Sequence, residues 1–561
     1  MRLAAAASAL LAAFQFRWGD ALRLPFINDD FLFLDKTRAA SLPSLWGFDR
    51  LAFHWWRPWS RETHYWAVQR LAGADPAVFH AVNAALWISI LAVYWALVRR
   101  SAGAAAAGWA LAAAAAMAAW GLPLLWVAGV QDLWMLLASL LALHAWASDR
   151  RGLAALAYAV ALLSKETAAL LPVVLFAWDV LLAQRRPREA MVRLLPLAAV
   201  AVLWAGLHPR LGGQFWQHVN LERAADTSRL SPLGALRRAL LVPFNLDLWP
   251  GIGMDWKRGL GTGIVVAGTL LAMFWFLRPP GNPSPDTARA RAHLRLGGVW
   301  ALMGFAPLLL PGLGFHAYYT LFGSLGILFA CAPFLCRNPW LASVSIAVLA
   351  LLGGVRDHAP TLDWGDAPYQ RRAGALLQSM RVDLLAKLPS PAPHTRFFFV
   401  RVPDRVGFLA ADAPALRVWY ADPTVSGGYY SAYAPRAAGT PAGEDRFFRL
   451  DSLAGWIPVI AGGEDVPAAL AANPRWERDH LALGQAFAAA GDWRAAATEY
   501  EKLARAFPAN PSHAFDTAAS WSEAGDLTAA YRWLVEAARR PGATHEMRAA
   551  AAAATATATR Q

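Results

Sequence analysis

Apolar runs long enough to cross a bilayer recur from residue 3 to about residue 355 and then stop. A spanning helix needs about 20 apolar residues, and within lipid every backbone N–H and C=O must find its partner inside the protein. A chain with this pattern is therefore expected to be an α-helical polytopic membrane protein with about 11 spans, followed by a water-soluble tail. Composition agrees: 57% of the 561 residues are hydrophobic and only 16% are charged, too apolar for an ordinary soluble domain.

The net charge of +13 does not point to nucleic acid, because the basic residues collect in short loops between apolar runs. Arg99-Arg100, Arg150-Arg151 and Arg185-Arg186 each close such a run. This is the positive-inside pattern, and it places the N-terminus in the cytoplasm, the 28–77 loop outside and, with an odd number of spans, the C-terminal part outside as well. The opening MRLAAAASALLAAFQFRW shares features with a secretory leader, yet no clean cleavage site precedes Phe14, Phe16 and Trp18, so it reads as the first span. Cys331 and Cys336 are the only cysteines, and their spacing does not stack them on one helical face.

Three regions are expected: a membrane domain over 1–355, a small extracytoplasmic α/β domain over 356–465, and tetratricopeptide-like helical repeats with a disordered Ala/Thr-rich tail over 466–561. The strand candidates are RFFFVRV (396–402), LRVWYAD (416–422) and RFFRLDSLAGW (446–456), rich in aromatic and β-branched residues. The repeat expectation rests on Gly491-Asp492 and Gly525-Asp526, which recur with Ala496 and Ala530 at the tetratricopeptide period of about 34 residues.

Chemistry is expected where ionisable groups crowd the external ends of the apolar runs. A charge near hydrocarbon costs about 2.5–3.5 kcal/mol even on insertion scales, so several on one side imply a polar cavity. Asp29, Asp30, Asp35, Arg57, Arg61, Glu62, His64, Asp132, Lys165 and Glu166 all fall on that side. A carboxylate of the Asp29-Asp30 pair can serve as a base, or the pair can simply cap a short helix. Arg57, Arg61 and Lys165 can hold a phosphate, by a planar fork or by a mobile point charge, or can anchor to lipid headgroups. Of the 28 tryptophans, Trp46, Trp55, Trp56, Trp59 and Trp66 crowd the first external loop, where indoles can stack on sugars or form a membrane-interface belt. No HExxH zinc pattern occurs.

In order along the chain stand NDD (28–30), RPWSRETHYW (57–66), PAVFHAVN (76–83), VAGVQD (127–132) and SKETAALLPVVLFAWD (164–179). This ordered set resembles the C-type (GT-C) membrane glycosyltransferases, and most of all their protein O-mannosyltransferase-like branch with tetratricopeptide repeats. HAYYTLFGSLG (316–326) is similar to a later external motif of the family, with His316 where an arginine is commoner.

The resemblance implies an inverting hexosyltransferase in the cytoplasmic membrane that moves a sugar from a polyprenyl phosphate to an extracytoplasmic hydroxyl. It implies Asp29 as the primary carboxylate with Asp30 beside it, and Lys165, Arg57 and Arg61 at the donor phosphate. Glu166, His64, Asp132, His316 and Tyr318 would support them. These residues fix no cofactor; a divalent cation, magnesium or manganese, bridged by Asp29 and the donor phosphate is compatible with them. The partners implied are the lipid-linked sugar, membrane lipid and, through the repeats, a polypeptide. A transporter or lipid flippase and a membrane-anchored scaffold without catalysis are the competing expectations.

Overall fold

The computed structural model describes residues 2–558, apart from 49–50, 52–54, 210–230, 248–254, 279–286, 310–314, 360–364, 401, 404–405 and 462. The chain divides into two units, residues 1–375 and 376–561.

The first unit is an α-helical, multi-pass membrane fold. Among the described residues, six helices are long and apolar enough to cross a membrane: Pro76–Ala102, Val127–Ala147, Trp256–Leu277, Thr287–Leu309, Ala317–Leu335 and Pro339–Asp357. Two bent pairs, Ala104–Ala116 with Ala118–Leu125 (56°) and Pro187–Arg193 with Leu195–Leu207 (48°), raise the number to eight if each is one span. The sequence expectation of about 11 counted three further runs, and these fold as the shorter helices Arg2–Trp18, Arg151–Ser164 and Leu171–Leu181. At 1.5 Å per residue, the 14-residue helix Arg151–Ser164 reaches only about 21 Å, less than the hydrocarbon thickness.

One break shows how this fold tolerates irregular backbone. Ala104–Ala116 stops at Met117, whose φ of −63° and ψ of 128° are extended, and its last carbonyls lose their helical donors. Arg17 and Asn245 replace them. The Arg17 guanidinium donates to the carbonyls of Ala115 (3.4 Å) and Ala116 (2.8 Å), and Asn245 Nδ2 donates to Ala116 O at 3.1 Å. Asn245 Oδ1 accepts from the N–H of Ala118 at 2.7 Å. The buried Arg17 charge is balanced by Asp357 at 2.8 Å. Gly353 leaves room for this junction, since a Cβ there would lie 2.5 Å from Ala116 O. Further along, Asn83 donates to the carbonyls of Pro123, Trp126 and Val127, and His80 Nδ1 lies 3.0 Å from Leu124 O. The helix Pro76–Ala102 thereby holds the turn that leads into residues 127–132.

Close helix crossings use glycine. Gly259 and Gly263, four apart on Trp256–Leu277, meet Gly354 on Pro339–Asp357, where a Cβ would come within 2.5 Å of Gly259 O and 2.6 Å of Gly263 N. Gly304 and Gly323 do the same for the next pair. A short helix, Pro232–Leu241, precedes the first of these crossings in sequence.

The second unit carries a four-stranded sheet of β1 (Arg396–Val400), β2 (Ser426–Tyr429), β3 (Asp445–Asp451) and β4 (Gly455–Val459) in the order β2-β1-β3-β4. β1 runs parallel to β2 and β3, and β3 antiparallel to β4. The expected strand at LRVWYAD is instead the helix Pro414–Tyr420: Pro414 presets its first turn, and Ala413 and Ala421 close both ends in left-handed conformation. Phe398, Phe447 and Val459 pack against Trp476, Phe487 and Leu503 from the following helices.

Those helices are Trp476–Ala489, Trp493–Ala506, Pro511–Glu523 and Leu527–Arg539. The recurring Gly-Asp pair has a physical cause. Gly491 and Gly525 take positive φ (77° and 83°) to end one helix, and Asp492 and Asp526 start the next by accepting from Ala495 N and Ala529 N. The Ala/Thr-rich tail, expected to be disordered, forms the helix His545–Ala558. Alanine has the strongest helix propensity, and Met547 and Ala551 give this helix a buried face.

Candidate functional site

The helix Asp29–Arg38 opens with both acidic residues in its first turn, where carboxylates suit the positive end of the helix dipole. The two side chains have different surroundings. Asp30 is fully buried, and its carboxyl accepts from Ile27 N (3.0 Å), Tyr65 OH (2.9 Å) and Ala128 N (2.8 Å). Burial outweighs those donors and pushes its pKa up from 3.8 to about 8. Asp29 is half-buried and lies close enough to Tyr318 and Tyr319 to act on them electrostatically.

Lys165 sits where Arg151–Ser164 ends. Its backbone is extended (φ −163°, ψ 140°), and the chain resumes as the 3₁₀ turn Glu166–Leu170. The ammonium donates to Asp132 Oδ1 at 2.6 Å and rests 4.5 Å from the Tyr319 ring centre and 5.3 Å from that of Tyr318. Burial lowers the Lys165 pKa, and the Asp132 carboxylate opposes that shift. Next to it, Arg57 forks onto Glu166, with its Nε 3.0 Å and one terminal nitrogen 2.7 Å from Oε2, and its other terminal nitrogen donates to Gln131 Oε1 at 2.9 Å. Burial alone would raise Glu166, but Arg57 overrides it and holds the carboxyl down at about 2. The buried His208 places Nε2 3.6 Å from Glu166 Oε1, among Trp55, Trp56 and Trp204. A hydrogen bond from Ser60 Oγ to Ser164 O at 2.8 Å fastens the π-type turn Pro58–Thr63 to the Lys165 break.

Asp29, Arg57, Asp132, Lys165, Glu166 and Tyr318 thus come together from five stretches far apart in sequence. His316 joins them, stacked on Tyr318 with ring centres 6.0 Å apart. Tyr318 also lines a small surface recess with Ala118, Leu122, Arg356 and Asp357.

Besides Asp30, two expected site residues have other surroundings. Arg61 donates to Glu62 Oε1 (2.6 Å) and to Trp55 O (2.6 Å), and Glu62 also binds Lys36 at 2.9 Å. His64 is buried against Tyr65 and Phe79 and accepts from Trp134 Nε1 at 3.4 Å; burial pushes it down to about 3, so its ring is neutral. Among the described residues no three His, Cys, Asp or Glu side chains form a metal cage. Asp132 and Glu166 face the cations Lys165 and Arg57 instead. Tyr65, Gln131, His208 and Tyr319 were not picked out from the sequence. Gln131, Tyr319 and Tyr65 stand beside residues that were (Asp132, Tyr318 and His64), whereas His208 carries no charge pattern that distinguishes it.

No protein-family model and no curated protein matches the chain. Among solved structures it is similar to the oligosaccharyltransferase of Archaeoglobus fulgidus, crystallised as a complex with Zn and sulfate, at 14% identity and a TM-score of 0.38 over 74% of this chain. The match covers 61% of that enzyme, so the chain spans about three fifths of its length. It is also similar to ArnT from Cupriavidus metallidurans, bound to undecaprenyl phosphate (16% identity, TM-score 0.35) and in the apo state (15%, 0.35), in each case over 75% of this chain and 84% of that one.

Proposed function

We propose that the chain is a C-type membrane glycosyltransferase that moves a hexose from a polyprenyl phosphate to an acceptor hydroxyl, with inversion at the anomeric carbon. The observation that carries this reading is the convergence of buried Lys165 and half-buried Arg57 around Tyr319, a ring on which the Asp29 carboxylate also acts electrostatically. The stretches that meet there are those whose order resembles the family. In the proposed step Asp29 takes the acceptor proton as the hydroxyl oxygen bonds to the anomeric carbon. The bond from that carbon to the phosphate oxygen breaks, and its electron pair stays on the phosphate, whose new charge Lys165 and Arg57 stabilise. Asp132 and Glu166 hold the two cations in place, and no step is routed through a metal. Arg61 and His64 act here as supports of the surrounding framework.

The same reading sets the orientation: N-terminus in the cytoplasm, the site and the C-terminal unit outside the cytoplasmic membrane. It also leaves the O-mannosyltransferase-like branch, and recognition of a polypeptide by the helical hairpins, as proposals. The test is sugar transfer by the full-length protein in nanodiscs, with polyprenyl phosphate mannose as the probe donor and a serine/threonine-rich peptide as acceptor. Asp29→Asn is expected to abolish transfer while polyprenyl phosphate binding and the melting temperature stay unchanged; transfer at the parental rate would refute the assignment.

The two bent helix pairs favour a second reading, a lipid carrier, because transporters bind substrates at interrupted helices. It predicts that the protein moves polyprenyl phosphate between leaflets of a vesicle without cleaving the sugar bond.

A further inference from the structure

The turn that presents Asp29 does not hold itself. Asn28, which precedes it, has φ 50° and ψ −127°, a left-handed conformation that costs a non-glycine residue energy, and its side chain makes no capping hydrogen bond. Strain of this kind persists only when the surroundings impose it. Here the bonds that impose it come from Asp30. Its Oδ2 accepts from Ile27 N at 3.0 Å while its own N–H donates to Ile27 O at 3.1 Å, a reciprocal pair that closes the turn around Asn28. The other oxygen, Oδ1, reaches two separate elements: Tyr65 OH on the helix His64–Ala72, and Ala128 N in the turn Val127–Gly129.

That second connection matters for the chemistry. The turn at Ala128 runs directly into the helix carrying Gln131 and Asp132, the residues that hold Arg57 and Lys165. One carboxyl therefore ties the segment bearing the base to the segment that anchors the cations. Tyr65 is itself immobilised, fully buried with its ring 5.2 Å from Phe33 and 5.2 Å from Phe79.

We infer that Asp30 is a positioning residue, and Tyr65 its partner: together with Ala128 N they form a clasp that fixes Asp29 relative to Lys165 and Arg57. The inference rests on the reading of Asp29 as the base. It separates the roles of two neighbouring carboxylates, since a group taking bonds from Ile27, Tyr65 and Ala128 in a fully buried place is committed to the framework rather than to the substrate.

Two readouts on the full-length protein in nanodiscs test it. Hydrogen exchange at the amides of residues 27–31 should accelerate by roughly tenfold in Tyr65→Phe and more in Asp30→Asn, and stay at the parental rate in Asp29→Asn. Phenylalanine keeps the ring packing, so the melting temperature of Tyr65→Phe should hold. With polyprenyl phosphate mannose as donor, kcat should fall roughly 10- to 100-fold in Tyr65→Phe and Asp30→Asn, with KM for the donor within about twofold. The double variant should be no slower than Asp30→Asn alone, because both changes open one clasp. Unchanged exchange in both variants would overturn the clasp, and faster exchange with an unchanged kcat would overturn its positioning role. An Asp29→Asn protein that still transfers sugar would instead refute the base assignment, while the exchange result would still decide the clasp.

Discussion

Lys165 and Asp132 are a buried pair, with side chains 8% and 7% exposed and 2.6 Å between charged atoms. Removing one member of such a pair leaves the other charge desolvated and alone. Lys165→Ala is therefore expected to cost about 3–5 kcal/mol of stability, and Lys165→Met combined with Asp132→Leu markedly less, as chemical denaturation in detergent would measure. Asp30 makes a pH-dependent prediction. Its folded pKa, about 8, lies above its ordinary 3.8, so its contribution to stability is complete below about pH 4 and is lost as pH rises through 8. His64, pushed from 6.5 down to about 3, loses stability only as pH falls through that range. Between pH 6.5 and 8 Asp30 acts without it, and over that window the melting temperature of the parental protein should fall by more than that of Asp30→Asn. The ionisable residues of the site were legible in the sequence because charges beside apolar runs are costly. Which of two adjacent aspartates is buried was not, since that depends on Tyr65 and Ala128 arriving from other elements.

Among the elements, the bilayer-length helices were the most legible and the short pieces the least. Arg151–Ser164 and Leu171–Leu181 read as one apolar stretch interrupted by Lys165-Glu166, and the structure turns the interruption into the place where the cation is presented. LRVWYAD misled because its aromatic and β-branched residues suit a strand, while Pro414 upstream sets helical geometry. Glycine contacts between helices left no periodic pattern strong enough to read, yet they yield a sharp prediction. Gly354→Ala would drive a methyl group into the backbone of Gly259 and Gly263 and should cost about 1–3 kcal/mol. Gly268→Ala, on the same helix as those two but with nothing within 4 Å, should be neutral or slightly stabilising. Thermal melts of the two variants compare them directly.

For the whole molecule, the loop charges and the apolar runs together imply that the ends of five distant stretches lie on one side of the membrane. The membrane unit gathers those ends into one cluster, which neither charge counting nor periodicity alone could do, because the contacts of Arg57 with Gln131 and of Lys165 with Tyr319 join residues 74 and 154 positions apart. The central claim is that this cluster receives a lipid-linked phosphate. A density map of the full-length protein in nanodiscs with polyprenyl phosphate bound tests it most directly. The account predicts the phosphate within hydrogen-bonding distance of Lys165 Nζ or the Arg57 guanidinium, on the side of the cluster that faces Asp29. A phosphate seated elsewhere in the bundle, with Lys165 still closed on Asp132 and Arg57 on Glu166, would contradict it.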